Sequence, residues 1–218
     1  MILVLFGPPG VGKGTQANRL AKHFDCEKFS MGDILREEVA VQSKSGKKAE
    51  TYMAKGALVP DMLIFEIVDN FLIVNKDNSI LFDGFPRNVN QAIALNTSLS
   101  RLKLHLDFAM EMDLDENTII ERLINRRFCP TCSRLYNLVS SPPATDDLCD
   151  QCGKPLTKRK DDTEAVIKKR MQVYRDETAP LTKYYKTLNC YYKITSAGSE
   201  DEVFNTIVQT INAHNTKK

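Results

Sequence analysis

The sequence predicts an α/β protein, with a central parallel sheet that helices cover on both faces and that two inserts interrupt. Short apolar segments alternate with helical segments along the chain, and this alternation is typical of parallel sheets. A glycine-rich loop joins the first predicted strand to the first predicted helix. The alternation breaks near residues 30–59 and 128–160, and we expect both inserts at the sheet edge where α/β proteins bind ligands.

Short apolar runs predict the strands, because each has the length of a buried strand and ends at polar residues or glycine. In chain order these runs are residues 2–6, 79–82, 105–110 and 190–194. The second run ends at Asp83, and the first ends at a glycine and two prolines. Residues 27–30 are predicted to be a connection without regular structure.

Helices are predicted where apolar residues recur at helical spacing between capping or breaking residues. In chain order they are residues 16–24, 34–42, 49–55, 61–75, 90–96, 116–127, 163–185 and 201–213. Asp33 is the expected N-cap of the second helix, and residues 43–48 are predicted to be a polar break. Gly56 is expected to end the third helix, Pro60 to open the fourth, and Pro180 to interrupt the seventh.

The loop after the first strand carries the pattern Gly7-x-x-x-x-Gly12-Lys13. Glycines allow backbone N–H groups to converge on a polyphosphate, the helix N-terminus adds a positive dipole, and the lysine adds a charge. An ordinary glycine-rich turn is the alternative, but the strand, the glycines and the lysine occur in the register of a phosphate loop. Because Gly14 follows the lysine, the hydroxyl that usually binds Mg²⁺ comes one residue late, at Thr15. We therefore expect Mg²⁺ to be held mainly through water.

The bulk composition limits the class of protein. A chain of 218 residues with 42% hydrophobic residues is long enough for one core with one or two small inserts. The net charge of +2 argues against a general nucleic-acid binder. No apolar run has the length of a membrane span, and no signal-type segment precedes the first strand. We expect a cytoplasmic protein without a cleaved leader and without a membrane partner.

Four of the six cysteines form the pattern C-x₂-C-x₁₆-C-x₂-C within the second insert. Two such knuckles make a closed tetrahedral zinc site, and with all four positions filled the metal is structural. Disulfides, a redox pair or another thiolate-binding ion are the alternatives. The predicted ligands are Cys129, Cys132, Cys149 and Cys152. Cys26 and Cys190 stand alone and are expected to be inert.

Polar residues follow the second predicted strand in an order that suits phosphate chemistry. Asp83 closes the strand, as an acidic residue that orients Mg²⁺ and its waters does in phosphate-loop enzymes. Arg87 offers a bidentate fork for phosphate, and Gln91 can donate and accept hydrogen bonds at a purine edge. Each of these residues alone is more often a solvated loop residue, so their combination carries the prediction.

Several strings together resemble the nucleoside monophosphate kinases, and in particular adenylate kinases with a long, zinc-carrying lid. The strings are GPPGVGKGT at residues 7–15, SMGDILR at 30–36, GALVPD at 56–61, DGFPRNVNQA at 83–92 and the arginine-flanked cysteine knuckles at 126–162. The resemblance covers residues 1 to about 210. It implies a P-loop three-layer core formed by residues 1–29, 60–127 and 161–218, a monophosphate-binding insert at 30–59 and a lid at 128–160.

The resemblance also implies the roles of individual residues. Contacts to ATP are implied for Gly10, Val11, Gly12, Lys13, Gly14, Thr15, Arg126, Leu135, Tyr136 and, by its spacing to the last helix, Ala197. Contacts to AMP are implied for Met31, Arg36, Ala57, Leu58, Val59, Gly84, Phe85, Pro86, Arg87, Gln91, Arg159 and Arg170. The residues implied in catalysis are Lys13, Asp83, Arg87, Arg122, Arg126, Arg159 and Arg170. Arg122 is predicted one turn before Arg126 on the same helix face, and Asp161 or Asp162 is expected to orient the metal or the lid.

The resulting hypothesis is reversible transfer, MgATP + AMP ⇌ 2 ADP, by a monomer that needs no general base. Met31 departs from the family, which usually has a small hydroxyl residue there, so a kinase for another nucleoside monophosphate or one that uses GTP stays open. A more remote alternative is a zinc-ribbon nucleic-acid-binding protein that uses ATP as a switch. A purely structural protein on an inactive kinase fold is disfavoured because Lys13 and the expected arginines are all present.

Overall fold

The computed structural model of the chain describes residues 1–159 and 161–215. The last residue of the predicted lid, Lys160, and residues 216–218 of the predicted core lie outside the described residues. The strands in chain order are β1 Ile2–Phe6, β2 Cys26–Ser30, β3 Ser79–Asp83, β4 Phe108–Asp113, β5 Arg126–Phe128, β6 Leu135–Asn137 and β7 Tyr191–Thr195. The helices are α1 Lys13–Phe24, α2 Met31–Ala40, α3 Lys44–Ala54, α4 Asp61–Val74, α5 Val89–Arg101, α6 Glu116–Ile124, α7 Glu164–Val173, a π-helical turn Tyr174–Thr178, α8 Leu181–Thr187 and α9 Glu200–Asn215.

The predicted parallel sheet is present, with five strands in the order β2-β3-β1-β4-β7. Its central strands are buried on both faces, as their continuous apolar runs require. Along β1, Val4 and Phe6 belong to one apolar cluster, whereas Leu3 and Leu5 belong to the cluster on the opposite face. All strands of this sheet run in one direction, so their carboxyl ends meet at a single edge. The glycine-rich loop and Asp83 lie at that edge.

One strand was missed, and the bounds of another were shifted. Residues 27–30 belong to the edge strand β2, which pairs in parallel with β3, so that Ser30 lies beside Asp83. Cys26, Glu27 and Lys28 are exposed or half-buried, so this strand lacks the apolar signal of the central strands. The third predicted strand, at residues 105–110, is β4 and begins three residues later, at Phe108.

Two predictions about helix starts were also wrong, both in the first insert. Helix α2 begins at Met31, so Asp33 lies within its first turn and pairs with Arg36 rather than capping the helix. The predicted break at 43–48 is instead the start of α3, where the Ser43 side chain accepts a hydrogen bond from the Gly46 N–H. A Cβ at Gly46 would lie 2.0 Å from the carbonyl oxygen of Glu38, so glycine permits α3 to fold back onto α2.

The predicted helix at residues 116–127 ends earlier than expected. Helix α6 stops at Ile124, and Arg126 begins β5, which pairs with β6 in an antiparallel hairpin at the start of the lid. Arg122 and Arg126 therefore do not share a helix face, contrary to the prediction. The long helix predicted at 163–185 is divided into α7, the π-helical turn and α8, with Pro180 directly before α8. Within the part of the chain that the structure describes, no helix combines the length and apolarity needed to cross a bilayer.

Candidate active site

A cleft of about 800 Å³ lies at the carboxyl edge of the sheet, between the glycine-rich loop, the first insert and the lid. It brings together most of the predicted site residues: Gly10, Val11, Gly12, Lys13, Gly14, Thr15, Arg36, Leu58, Asp83, Gly84, Pro86, Arg87, Arg122, Arg126, Leu135, Tyr136, Arg159 and Arg170. An adjoining cavity of about 70 Å³ adds the acceptor-side residues Met31, Ala57, Val59 and Gln91.

Two residues that were predicted to contact a nucleotide line neither space. Phe85 is fully buried, and its ring packs against Phe29 and Phe82, so its side chain belongs to the core under the site. Ala197 is exposed, whereas its neighbours Ser196 and Gly198 line the cleft. The structure therefore places the chain near Ala197 at the cleft, but not this side chain itself.

The glycine-rich loop holds Lys13 by its own carbonyl groups. The Lys13 Nζ donates to the carbonyl oxygens of Gly7 and Pro8, each at 2.8 Å. A Cβ at Gly7, which has a φ of +143°, would lie 2.3 Å from the carbonyl oxygen of Met112, so only glycine allows this approach of loop and sheet. Burial lowers the pKa of Lys13 to about 7; Asp83 opposes the shift, and nearby arginines add to it. A bound anion would reverse this shift.

Asp83 lies at the end of β3, beside the loop. Burial raises the pKa of its carboxyl group, and the Lys13 charge opposes that rise. A Cβ at Gly14 would lie 3.5 Å from the Asp83 Oδ2, so the glycine at this position leaves space next to the carboxylate. Carboxylate oxygen is the donor type that Mg²⁺ prefers, and Mg²⁺ keeps several waters when it binds phosphates. The residues present therefore fit a Mg²⁺ ion held through one carboxylate and water.

Four arginines lie within or near the lid segment in the sequence and are called the lid arginines: Arg122, Arg126, Arg159 and Arg170. Two of them are paired with aspartates directly after the lid. Asp162, whose side chain is 0% exposed, accepts from Arg126 Nε at 2.8 Å and from Arg126 Nη2 at 2.5 Å. Arg170 Nη1 donates to Asp161 at 2.9 Å and lies 3.4 Å from Asp162. The bidentate pair is the stronger kind of charge-assisted contact. Of the two expected aspartates, Asp162 therefore orients the arginines most directly.

Arg87, Arg122 and Arg159 have no ion-pair partner among the described residues. Arg87 Nε donates to the Gly84 carbonyl at 2.8 Å, and Arg122 lies 3.3 Å from the Ser196 carbonyl oxygen. The Nε of Arg159 is buried and has no hydrogen-bond partner among the described residues. Burial lowers the pKa of both Arg87 and Arg159, and neighbouring arginines lower it further. Cations crowded in this way form a site for a multiply charged anion such as a polyphosphate.

The four predicted zinc ligands converge within the lid. Their Sγ atoms all lie within 4.8 Å of one another, and the shortest separations, Cys129 to Cys152 and Cys132 to Cys149, are 3.4 Å. Tetrahedral zinc with Zn–S bonds of about 2.3 Å holds sulfurs about 3.8 Å apart, so the cluster fits Zn²⁺. The described cysteines are all free thiols, which does not support the disulfide alternative.

The Tyr136 side chain connects this cluster to the cleft. It is 4% exposed, and its hydroxyl lies 3.3 Å from the Cys149 Sγ and accepts from the Asp150 N–H at 2.8 Å. Tyr136 is also among the residues lining the cleft. Sequence reasoning placed Tyr136 at ATP only, and its hydroxyl contact with the cysteine cluster was missed.

Two functional contacts were also missed because they join distant segments. Asp61 accepts a hydrogen bond from the Gln91 Nε2 at 2.7 Å, and the Thr178 hydroxyl donates to the Arg87 carbonyl at 2.7 Å. Asp61 ends the string at residues 56–61, but nothing in that string identified Gln91 as its partner, and no motif or spacing marked Thr178. The partners of Asp61 and Thr178 can be identified only when it is known which elements pack together.

Comparison with known proteins agrees with this geometry. A sequence model of the family described as adenylate kinase matches residues 5–190. The chain is 47% identical over 204 residues to an adenylate kinase of Hydrogenobaculum sp., covering 94% of this chain and 97% of the relative. It is 42% identical over 208 residues to an adenylate kinase of Thermodesulfovibrio yellowstonii, covering 95% of this chain and 97% of that relative. It is also 42% identical over 214 residues to an adenylate kinase of Thermoanaerobacter sp., covering 97% of this chain and 98% of that relative.

Proposed function

The chain belongs to the adenylate kinase family, and from this premise we propose how its own residues carry out reversible phosphoryl transfer between ATP and AMP. The reaction is MgATP + AMP ⇌ 2 ADP. The observation that carries the proposal is the convergence of Lys13, Asp83 and Arg87 with the lid arginines on one cleft at the carboxyl edge of the sheet. The acceptor phosphate is already anionic, so catalysis consists of positioning and charge neutralisation rather than general base chemistry.

The donor is held by the loop and the lid. The backbone N–H groups of residues 10–15 surround the donor phosphates, and Lys13 leaves its carbonyl partners for the β- and γ-phosphates. Leu135 and Tyr136 approach from the lid, where a Cβ at Gly14 would lie 3.8 Å from a Leu135 methyl group. Ser196 and Gly198, the neighbours of Ala197, line the same cleft, and the backbone of this segment completes the donor site.

The acceptor is held between the first insert and the Asp83–Arg87 loop. Arg36 and Arg87 bind the AMP phosphate, for which Arg36 exchanges its present partner Asp33, 2.5 Å away, for phosphate oxygens. Met31, Val59 and Gln91 line the smaller cavity and surround the base. The backbone of residues 57–59 and 84–86 forms the rest of this pocket.

The transferring phosphoryl group lies between these sites and is surrounded by Arg122, Arg126, Arg159 and Arg170. Asp161 and Asp162 orient two of these guanidinium groups, and Arg159 keeps an unpaired Nε for the incoming charge. Adenylate kinases use Mg²⁺ with ATP, and Asp83 would hold the ion through water; when bound, the metal neutralises phosphate charge. Closing the insert at 30–59 and the lid at 128–160 excludes water, which would otherwise hydrolyse ATP.

Zn²⁺ bound by the four lid cysteines is proposed to be structural, because four thiolates leave no open position for a water. We further propose a monomeric, cytoplasmic enzyme whose partners are ATP, AMP and ADP. The net charge of +2 supports the expectation that nucleic acid is not a partner. A membrane partner is not part of the proposal.

The test is ADP formation from ATP with AMP, GMP, CMP or UMP as the acceptor, with zinc content measured on the same preparation. We expect rapid turnover with AMP, much slower turnover with the other acceptors, and one zinc ion per chain. Repeating the AMP reaction with GTP as donor measures donor preference. Absence of turnover with AMP while another monophosphate is phosphorylated would contradict the proposal.

A further inference from the structure

Gln91 is fixed at both ends of its side-chain amide. The residue is 3% exposed and lines the acceptor cavity. Its Oε1 accepts from the Arg87 backbone N–H at 2.7 Å, and its Nε2 donates to the Asp61 Oδ1 at 2.7 Å. The Asn88 Nδ2 also donates to the Asp61 Oδ1, at 3.4 Å, and this second bond helps to hold the carboxylate in place.

The chemistry of the two partners determines which way the amide points. A backbone N–H can only donate and an ionised carboxylate can only accept, so the Gln91 oxygen must face Arg87 and its nitrogen must face Asp61. A rotation of the amide by 180° would break both hydrogen bonds. It would place the amide N–H₂ against the Arg87 N–H and the amide oxygen against the Asp61 carboxylate. In the fixed orientation, one lone pair on Oε1 and one hydrogen on Nε2 remain for a ligand.

The rest of the acceptor cavity offers little polar discrimination. Among the described residues that line it, Gln91 is the one neutral polar side chain, and Asp161 is paired with Arg170. The other side chains are apolar or are the arginines already assigned to phosphate. Met31, where the family usually has a hydroxyl residue, is 2% exposed and provides only a thioether. Recognition of the base edge by a side chain therefore depends on the orientation of Gln91.

We propose that Asp61 is a positioning residue that makes the acceptor site select a 6-amino purine monophosphate over a 6-oxo one, by fixing the direction of the Gln91 amide. A 6-amino purine offers an N–H donor at position 6 and an acceptor at N1, which match an oxygen and an N–H of the amide. A 6-oxo purine offers the reverse pair and would require the amide to rotate. The proposal rests on the proposed function, because it assumes that the small cavity holds the acceptor base.

The test is Asp61→Asn, measured with AMP and IMP as acceptors, because IMP reverses the donor and acceptor at this edge without adding an exocyclic group at position 2. The asparagine can itself rotate and present either an acceptor or a donor to Gln91. We expect kcat/KM for IMP to rise and kcat/KM for AMP to fall. The ratio of the AMP value to the IMP value should decrease by roughly tenfold, which is the effect of one charge-assisted hydrogen bond. The Arg87 N–H still favours the original orientation, so some preference for AMP remains.

Asp69→Asn is the matched control. Asp69 lies on the same helix, α4, and contacts α5 through Ser98 at 2.5 Å and Arg101 at 3.0 Å, as Asp61 contacts Gln91. Neither Asp69 nor these two partners line either cavity. The ratio of kcat/KM for AMP to kcat/KM for IMP should therefore stay at the wild-type value. A ratio that changes equally in both variants would overturn the proposal.

Asp61→Ala provides a second, independent variant. It removes the acceptor without supplying a donor, so we expect kcat/KM for AMP to fall while that for IMP does not rise. A parallel loss for AMP and IMP in Asp61→Asn, with the ratio unchanged, would show that Asp61 is only structural and would overturn the proposal. Failure of the proposed function is distinguishable, because the wild-type chain would then not phosphorylate AMP at all.

Discussion

The surroundings of Lys13 couple its protonation to the binding of an anion. Its ammonium group has three N–H donors, and two of them are directed at the carbonyl oxygens of Gly7 and Pro8. Burial makes the charged form costly, and the Asp83 carboxylate only partly compensates. A bound polyphosphate would supply the missing negative charge, so the nucleotide and the proton on Lys13 should bind together.

This coupling predicts proton uptake when MgATP binds. With a pKa of about 7, Lys13 is mostly neutral in the free enzyme at pH 8 and mostly charged at pH 6. The bound phosphates raise its pKa, so binding should take up close to one proton at pH 8 and few at pH 6. Isothermal titration calorimetry in buffers of different ionisation enthalpy measures the uptake. The control is Lys13→Arg, whose guanidinium stays charged at both values, and equal uptake at both pH values in the wild type would refute the coupling.

At the scale of elements, prediction succeeded where the signal was local. The central strands and α4 follow from contiguous apolar patterns, and the loop, Asp83 and Arg87 follow from contiguous motifs. Strand β2 was missed because its place depends on pairing with β3, about fifty residues later. The end of α6 was missed because Arg126 pairs with Asn137 in the lid hairpin. Contacts that cross the chain cannot be read from periodicity.

The same argument applies within the site. The arginines around the cysteine knuckles were assigned to the site through the resemblance of this part of the sequence to the family, and they line the cleft. Asp61 and Thr178 could not be assigned in this way, because their partners are 30 and 91 residues away. These residues support the ones that a motif reveals, and only packing brings them together.

The π-helical turn is the element that joins α7 to the proposed acceptor site. It follows α7, which carries Arg170, and it precedes Pro180, which has no N–H to continue a regular helix. Tyr174 lies 3.5 Å from Glu111 on β4, and the buried Thr178 hydroxyl donates to the Arg87 carbonyl. The turn therefore links the sheet, α7 and Arg87.

Replacing Thr178 should affect the acceptor more than the donor. Thr178→Val keeps the shape but removes the hydrogen bond to the Arg87 carbonyl, which costs about 1 kcal/mol and leaves Arg87 less well positioned. We expect kcat/KM for AMP to fall about fivefold, with a smaller change in KM for ATP. Thr178→Ser, which keeps the hydroxyl, should recover most of the loss. Steady-state kinetics with each substrate varied in turn will test this, and equal losses for both substrates would argue for a general structural effect.

At the scale of the whole molecule, stability is distributed unevenly between the core and the lid. The core has two large apolar clusters, one on each face of the sheet. Among the described residues, the buried lid cluster consists of Tyr136, Leu156 and two of the cysteines. So few apolar side chains cannot offset the entropy of ordering an insert of this length. We therefore expect the lid to depend on its metal and the core to be independent of it.

Removing zinc should accordingly unfold the lid before the core. Chelation removes the metal ion, and Cys129→Ser removes one of its four ligands; the binding energy of this ion is folding energy for the lid. We expect hydrogen exchange to accelerate at residues 126–157 at temperatures where β1, β3 and β4 remain protected, and kcat with AMP to fall sharply because the lid arginines lose their positions. Cys26→Ser is the control, because Cys26 lies outside the cluster and should leave both zinc content and exchange unchanged. If chelation removed zinc while lid exchange and thermal unfolding stayed at their original values, the lid would be held by its packing and the structural role of the metal would be wrong.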